Sequence, residues 1–130
     1  MRVALWVGAV MVATYPLGGV GQLPSADPCD SPATTIEMRM CAEARLKSAE
    51  KELEQICSAM LARLPDEAHK KSFLASQEAW RTYRDAEVDF EGHFYDGGTI
   101  QRQVKLNGRT RMTQARVAEL RQRLKDEVDH

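Results

Sequence analysis

The chain has 130 residues, of which 43% are hydrophobic and 28% charged, and its 18 basic and 19 acidic side chains give a formal net charge of −1. A chain of this length forms one domain. The near-neutral charge argues against a nucleic-acid-binding protein, which is normally strongly basic, and the sequence has no glycine-rich phosphate loop.

The N-terminus has the features of a secretory signal peptide. Arg2 precedes an apolar run over residues 3–15, and small residues follow. This run is shorter than the roughly 20 residues that span a bilayer, although an uncleaved anchor is the alternative. We expect residues 1–26 to be a signal peptide and short linker, cleaved near Gly21 or Ala26. Residues 27–130 would then be a periplasmic or secreted domain without a stable membrane span.

A long first helix follows the N-terminal arm. Thr34 and Glu37 match a capping box, and no glycine or proline occurs between them and Pro65. Leu46, Leu53 and other apolar residues recur at spacings of three and four, which predicts one buried stripe. The sequence therefore predicts a helix of about 30 residues that ends near Leu64.

Three cysteines in an exported chain predict one disulfide and one spare thiol. Cys41 and Cys57 lie on the same predicted helix, roughly 24 Å apart, which is beyond the reach of a disulfide. Cys29 lies in the arm and can fold back, so we predict a Cys29–Cys41 disulfide. Cys57 would be a buried thiol that behaves as an apolar residue, with a reactive or intermolecular thiol as the alternative.

The second predicted helix, over residues 66–90, carries the most specific side chains. Phe73, Gln77, Trp80, Arg84 and Val88 recur at four, three, four and four residues, so they share one face. The Trp80 indole is expected to fill the core, where a guanidinium can stack on it or bind a carboxylate. Gln77 is expected to bond to a neighbouring helix. We expect this helix to end before Gly92.

A turn and a third helix complete the chain. The Asp96-Gly97-Gly98 sequence favours a turn with positive φ. Apolar residues from Ile100 onward predict a helix, with a possible interruption at Asn107-Gly108. No stretch alternates with period two, so the sequence predicts an all-α, antiparallel three-helix bundle of long helices.

Five acidic residues cluster at the end of the second helix and in the following turn. Carboxylates at a helix C-terminus oppose the helix dipole, so the cluster requires an explanation. One explanation is a basic binding partner, and the other is compensation by basic residues of the third helix. The cluster consists of Asp85, Glu87, Asp89, Glu91 and Asp96.

The sequence gives no sign of catalysis. His69, His93 and His130 do not form a metal-ligand set, and no serine or cysteine has a recognisable histidine–acid arrangement. We therefore expect a protein that is not an enzyme and that binds no metal or cofactor.

Several motifs together resemble the LprI-type lysozyme-inhibitor family of small exported helical domains in bacteria. They are Cys29, Cys41-Ala42, the Gln-x-x-Trp-x-x-Tyr-Arg-Asp segment over residues 77–85, Gly97-Gly98-Thr99, and Thr113-x-x-Arg116-x-x-x-Leu120. The resemblance covers roughly residues 29–120. It implies an extracytoplasmic protein that binds and inhibits a lysozyme or a similar cationic hydrolase. The alternative is a structural or adaptor domain of the envelope without inhibitory activity.

The candidate structural and partner-binding residues come from these motifs and from the acidic cluster. We expect Trp80, Gln77 and Arg116 to have structural roles. The partner, possibly a lysozyme, would contact a surface drawn from Tyr83, Arg84, Asp85, Asp89, Glu91, Gly97 and Gly98.

The chain departs from the family pattern at one pair of positions. The family typically has one cysteine three residues after the Tyr-Arg-Asp triplet and another shortly before the Thr-x-x-Arg motif. These places are occupied by Val88 and, approximately, Gly108. The resemblance therefore implies that the third helix is held here by packing alone.

Overall fold

A computed structural model of the chain describes residues 29–126, which form three α-helices joined by short connections. Helix α1 spans Thr35–Arg63, α2 spans Glu67–His93 and α3 spans Gln101–Asp126. This arrangement confirms the predicted all-α bundle. The predicted signal peptide, residues 1–26, lies outside the described residues. None of the described helices is both long enough and apolar enough to cross a bilayer.

The start of α1 is fixed by a capping box and a disulfide. Thr34 Oγ1 accepts a hydrogen bond from the Glu37 amide at 3.1 Å, and the Glu37 carboxylate accepts one from the Thr34 amide at 3.0 Å. Cys29 and Cys41 form the predicted disulfide, with their Cα atoms 5.5 Å apart. Arg45 Nη2 also donates to the Cys29 carbonyl at 3.1 Å. These bonds hold the arm against the first turns of α1.

The core lies where α1 and α2 pack on α3. Leu53 and Met60 of α1 are buried against Val117 and Leu120 of α3, and Trp80 of α2 packs on this cluster. Each fully buried aliphatic side chain contributes roughly 1.5–3 kcal/mol. Most contacts between the described helices involve α3, so this helix joins the other two.

Two glycines belong to helices, Gly92 in the last turn of α2 and Gly108 in the interior of α3. The prediction that α2 ends before Gly92 is wrong, and the suggested interruption of α3 at Asn107-Gly108 is also wrong. A Cβ at Gly92 would overlap the Lys105 side chain, and one at Gly108 would lie 2.6 Å from a Glu91 carboxylate oxygen. The Lys105 and Glu91 side chains thus pack close to these two stretches of backbone, and a side chain at either glycine would require them to move.

Candidate functional site

The motif residue Trp80 lies between two buried arginines. The Arg84 Cζ is 5.1 Å and the Arg116 Cζ is 5.9 Å from the indole ring centroid. Trp80 and Arg84 are one turn apart on α2, and Arg116 approaches from α3. The arginines expose only 8% and 7% of their surface. Both cations are thus placed to interact with the π-electrons of the indole, an attraction that strengthens as water is excluded.

Arg84 is bound by neighbours on both helices. Its Nη1 donates to the Thr113 hydroxyl at 3.2 Å, and its Nε donates to the Asp85 carboxylate at 2.9 Å. Arg109 Nη2 lies 3.3 Å from the same Asp85 oxygen. Thr113 is fully buried, whereas the Asp85 side chain is about half exposed. Asp85 therefore compensates the Arg84 charge from the protein surface, where the carboxylate keeps part of its hydration.

Gln77 connects all three helices through its amide. Its Oε1 accepts two hydrogen bonds from Arg116, at 2.6 and 2.8 Å, and its Nε2 donates to the Cys57 sulfur of α1 at 2.9 Å. Arg116 Nη1 also donates to Glu119 at 2.7 Å. Cys57 is half-buried, and burial raises the pKa of its thiol above the ordinary value, which keeps it protonated at neutral pH.

The Glu119 carboxylate makes the stability of this network pH-dependent. Its hydrogen bond from Arg116 is the main reason that the pKa of Glu119 is lowered. A carboxyl with a lower pKa in the folded than in the unfolded state stabilises the fold above its unfolded-state pKa, and this contribution disappears as pH falls through the folded-state pKa. We therefore expect Glu119→Gln to lower the free energy of unfolding at pH 7, by less than about 1 kcal/mol because Glu119 is partly exposed.

Urea unfolding of the Glu119→Gln variant at pH 7 and near pH 2 checks this expectation. At the lower pH the difference from the unchanged protein should vanish, because both residues are then neutral. Glu54→Gln is the matched control, since no ion pair of Glu54 is found in the described part of the chain. A loss of equal size at both pH values would contradict the assigned role of the charge.

The acidic cluster is largely compensated within the molecule. Only Glu87 of its five carboxylates has no ion pair among residues 29–126. The pairing fits the second of the two explanations, internal compensation, for Asp85, Asp89 and Glu91, whereas the Asp96 contact is ionic only when the His93 imidazole is protonated. These pairs are Asp85 with Arg84 and Arg109, Asp89 with Lys105 at 3.0 Å, Glu91 with Arg111, and Asp96 with His93 at 3.1 Å.

The remaining candidate residues differ in their access to solvent. Tyr83 is 58% exposed, although it directly precedes the buried Arg84. Gly97 and Gly98 lie in the exposed turn between α2 and α3, and Gly97 has the positive φ of 76° that its sequence favours. Tyr83 and the turn are therefore open to solvent, whereas Arg84 is largely buried.

Two exposed aromatic residues were not singled out from the sequence. Phe90 and Phe94 are 58% and 73% exposed, and their rings meet edge to face with centroids 5.2 Å apart. Tyr83, Glu87, Phe90 and Phe94 are spaced by four, three and four residues, so they share one face of α2 that continues to its C-cap residue, Phe94. This spacing is visible in the sequence, but it runs beside the more conspicuous stripe that contains Trp80.

Exposed apolar side chains are concentrated in one half of the bundle. Among the described residues, every large exposed hydrophobic residue except Leu74 lies in the half formed by the start of α1, the end of α2 and the start of α3. They are Ile36, Met38, Met40, Tyr83, Phe90, Phe94, Tyr95 and Ile100. Such clustering is typical of surfaces that bind another molecule.

A cavity of about 670 Å³ lies at the opposite end of the bundle, where His69 and Ser72 are among the lining residues. His69 Nδ1 bonds to Asp66 at 2.8 Å, and both side chains are exposed at the start of α2. No hydrogen bond joins the Ser72 hydroxyl to His69 in the described structure, so a Ser–His–Asp triad is not assembled there. Asp66 instead caps α2 by accepting a hydrogen bond from the His69 amide.

Comparison with known proteins gives one match. A family model described as "Lysozyme inhibitor LprI" matches residues 27–120. The matched segment includes the Cys29–Cys41 disulfide, the Trp80 stack and all of α2. No match was found among curated proteins or solved structures.

Proposed function

Because this chain belongs to the LprI lysozyme inhibitor family, we propose that it is a periplasmic or secreted protein that binds and inhibits a lysozyme. The observation that carries this proposal is the family match over residues 27–120. The signal-peptide-like residues 1–26 and the Cys29–Cys41 disulfide support export, because disulfides persist mainly in oxidising compartments.

The geometry limits how this protein would inhibit a lysozyme. Arg84 and Arg116 are buried against Trp80, which argues against either guanidinium entering the acidic substrate cleft of such an enzyme. Asp85, Asp89 and Glu91 already pair with basic side chains, so their attraction for a basic partner is reduced. Among the candidate residues, Tyr83 and the Gly97-Gly98 turn are the best placed for contact.

A titration of the purified protein, residues 27–130, against a basic animal-type lysozyme tests the proposal. We expect lysozyme turnover to fall at micromolar or lower concentrations of the protein. The assay should use a small soluble oligosaccharide substrate as well as bacterial cell walls. A protein that merely coated the cell wall would slow only the second reaction. Full activity at micromolar excess and low salt with both substrates would contradict inhibition.

A structural or adaptor role in the envelope is the second candidate function. The observation that favours it is the internal compensation of most of the acidic cluster, since the partly buried Trp80 and the buried Arg84 then serve only to specify the fold. In this case Asp89→Lys and Glu91→Lys would leave any function unchanged, and the lysozyme titration would give no inhibition.

A further inference from the structure

We propose that one face of α2, formed by Tyr83, Glu87, Phe90 and Phe94 and here called the aromatic face, is the surface that docks on the basic protein partner. This inference rests on the proposed function, because it names the surface and the chemistry by which the partner is bound. Glu87 is the one member of the acidic cluster on this face. The other four carboxylates of the cluster, which contact basic side chains, lie outside it.

The aromatic face has the composition of a protein-binding surface. Tyr83, Phe90 and Phe94 expose 58%, 58% and 73% of their surface, and the last two are in ring contact. Aromatic side chains supply much of the binding energy at protein interfaces, because large rigid rings bury apolar area with little loss of conformational freedom. Neither Tyr83 nor the two phenylalanines belong to the core cluster, through which α2 packs on the rest of the bundle.

The negative charge of Glu87 on the aromatic face favours a cationic partner. Glu87 is half-buried between Tyr83 and Phe90 on this face and has no ion pair in the part of the chain that the structure describes. A guanidinium or ammonium group of the partner could pair with this carboxylate and rest on an adjacent ring. Interaction with both groups would favour arginine, whose planar group stacks on aromatic rings.

The same carboxylate argues against two other occupants. In a symmetric dimer built on this face, each Glu87 would be brought into one interface with its copy, and two like charges would be desolvated together. An anionic lipid surface would likewise repel Glu87 and leave it unpaired at an apolar boundary. A basic protein is the occupant that satisfies both the rings and the carboxylate.

Calorimetric binding to a basic animal-type lysozyme tests the aromatic face with matched variants of residues 27–130. We expect Glu87→Lys, and separately the double variant Phe90→Ser/Phe94→Ser, to weaken binding at least about tenfold. The controls are Glu78→Lys, which makes the same charge reversal, and Leu74→Ser, which also replaces an exposed apolar side chain with serine, both at positions of α2 outside the face. The controls should bind within about twofold of the unchanged protein. Circular dichroism establishes that every variant is folded.

The outcomes separate this inference from the proposed function. If the unchanged protein binds lysozyme and the face variants bind equally well, the inference is overturned and the function stands. If the unchanged protein does not bind, both are overturned. Sedimentation measurements address the self-association alternative. A dimer that the Phe90→Ser/Phe94→Ser variant converts to a monomer would assign the face to a second copy and overturn the inference.

Discussion

Replacing Trp80 with alanine is expected to lower the free energy of unfolding by about 3 kcal/mol, near the lower end of the range for truncation of a large aromatic side chain. The lower end applies because Trp80 is only partly buried. The loss has two sources. The indole packs on the core cluster, and it interacts with the guanidinium groups of Arg84 and Arg116, which would otherwise lie beside a cavity.

Urea unfolding measures this loss, and Tyr83→Ala on the same helix is the matched control. Tyr83 is 58% exposed and forms no part of the core cluster, so its truncation should change stability by less than about 0.5 kcal/mol. A small effect of Trp80→Ala, comparable to that of Tyr83→Ala, would contradict the structural role of the stack.

Cysteines introduced at Val88 and Gly108 are expected to form a disulfide that raises the free energy of unfolding by at most about 3 kcal/mol relative to the reduced variant. A Cβ built at Gly108 lies 3.6 Å from a Val88 side-chain methyl carbon, so the two positions face each other across α2 and α3. Bridging them closes a loop of about 20 residues, which in the chain-entropy model gives this magnitude. The Glu91 carboxylate, 2.6 Å from the new Cβ, must move aside, and this movement reduces the gain.

The comparison of oxidised and reduced Val88→Cys/Gly108→Cys protein isolates the contribution of the bond, because the substitutions are the same in both states. Each single cysteine variant serves as a further control, and mass mapping separates the new bridge from any bond to Cys57. A pair that stays reduced under conditions in which Cys29–Cys41 forms would show that the two positions do not approach closely enough.

Local signals predicted the parts of the fold that depend on nearby residues. The capping box of Thr34 and Glu37 fixes the start of α1 through bonds within one turn. The Cys29–Cys41 pairing followed from the length of a helix, because the distance from Cys41 to Cys57 excluded the alternative within α1. Both features could be derived without knowing how the helices pack.

The predictions made from sequence about helix ends are wrong where a contact between two helices determines the local structure. Because glycine is unfavourable inside a helix, the sequence predicts a helix end before Gly92 and a possible interruption at Gly108. Their structural reason lies on the opposite helix, since Lys105 covers Gly92 and Glu91 covers Gly108. Sequence patterns within one helix do not contain that information.

The candidate site was predicted only in part for a similar reason. The stripe containing Trp80 and Arg84 was recognisable from its spacing, but the partners of the acidic residues lie about 16 to 24 positions away on α3. Exposure of Phe90 and Phe94 also depends on where α1 and α3 lie. Without the packing, an apolar residue beside the main stripe could not be distinguished from one that widens it.

The arrangement of the bundle determines when the helices can fold as the chain is synthesised. Because α3 supplies Val117 and Leu120 to the core and makes most contacts between helices, the first two helices have little to pack on before the last quarter of the chain is available. A ribosome-bound or partly translocated fragment ending before residue 101 would therefore remain uncollapsed. For the exported protein proposed above, late acquisition of structure would suit passage through a translocation channel that admits only unfolded polypeptide.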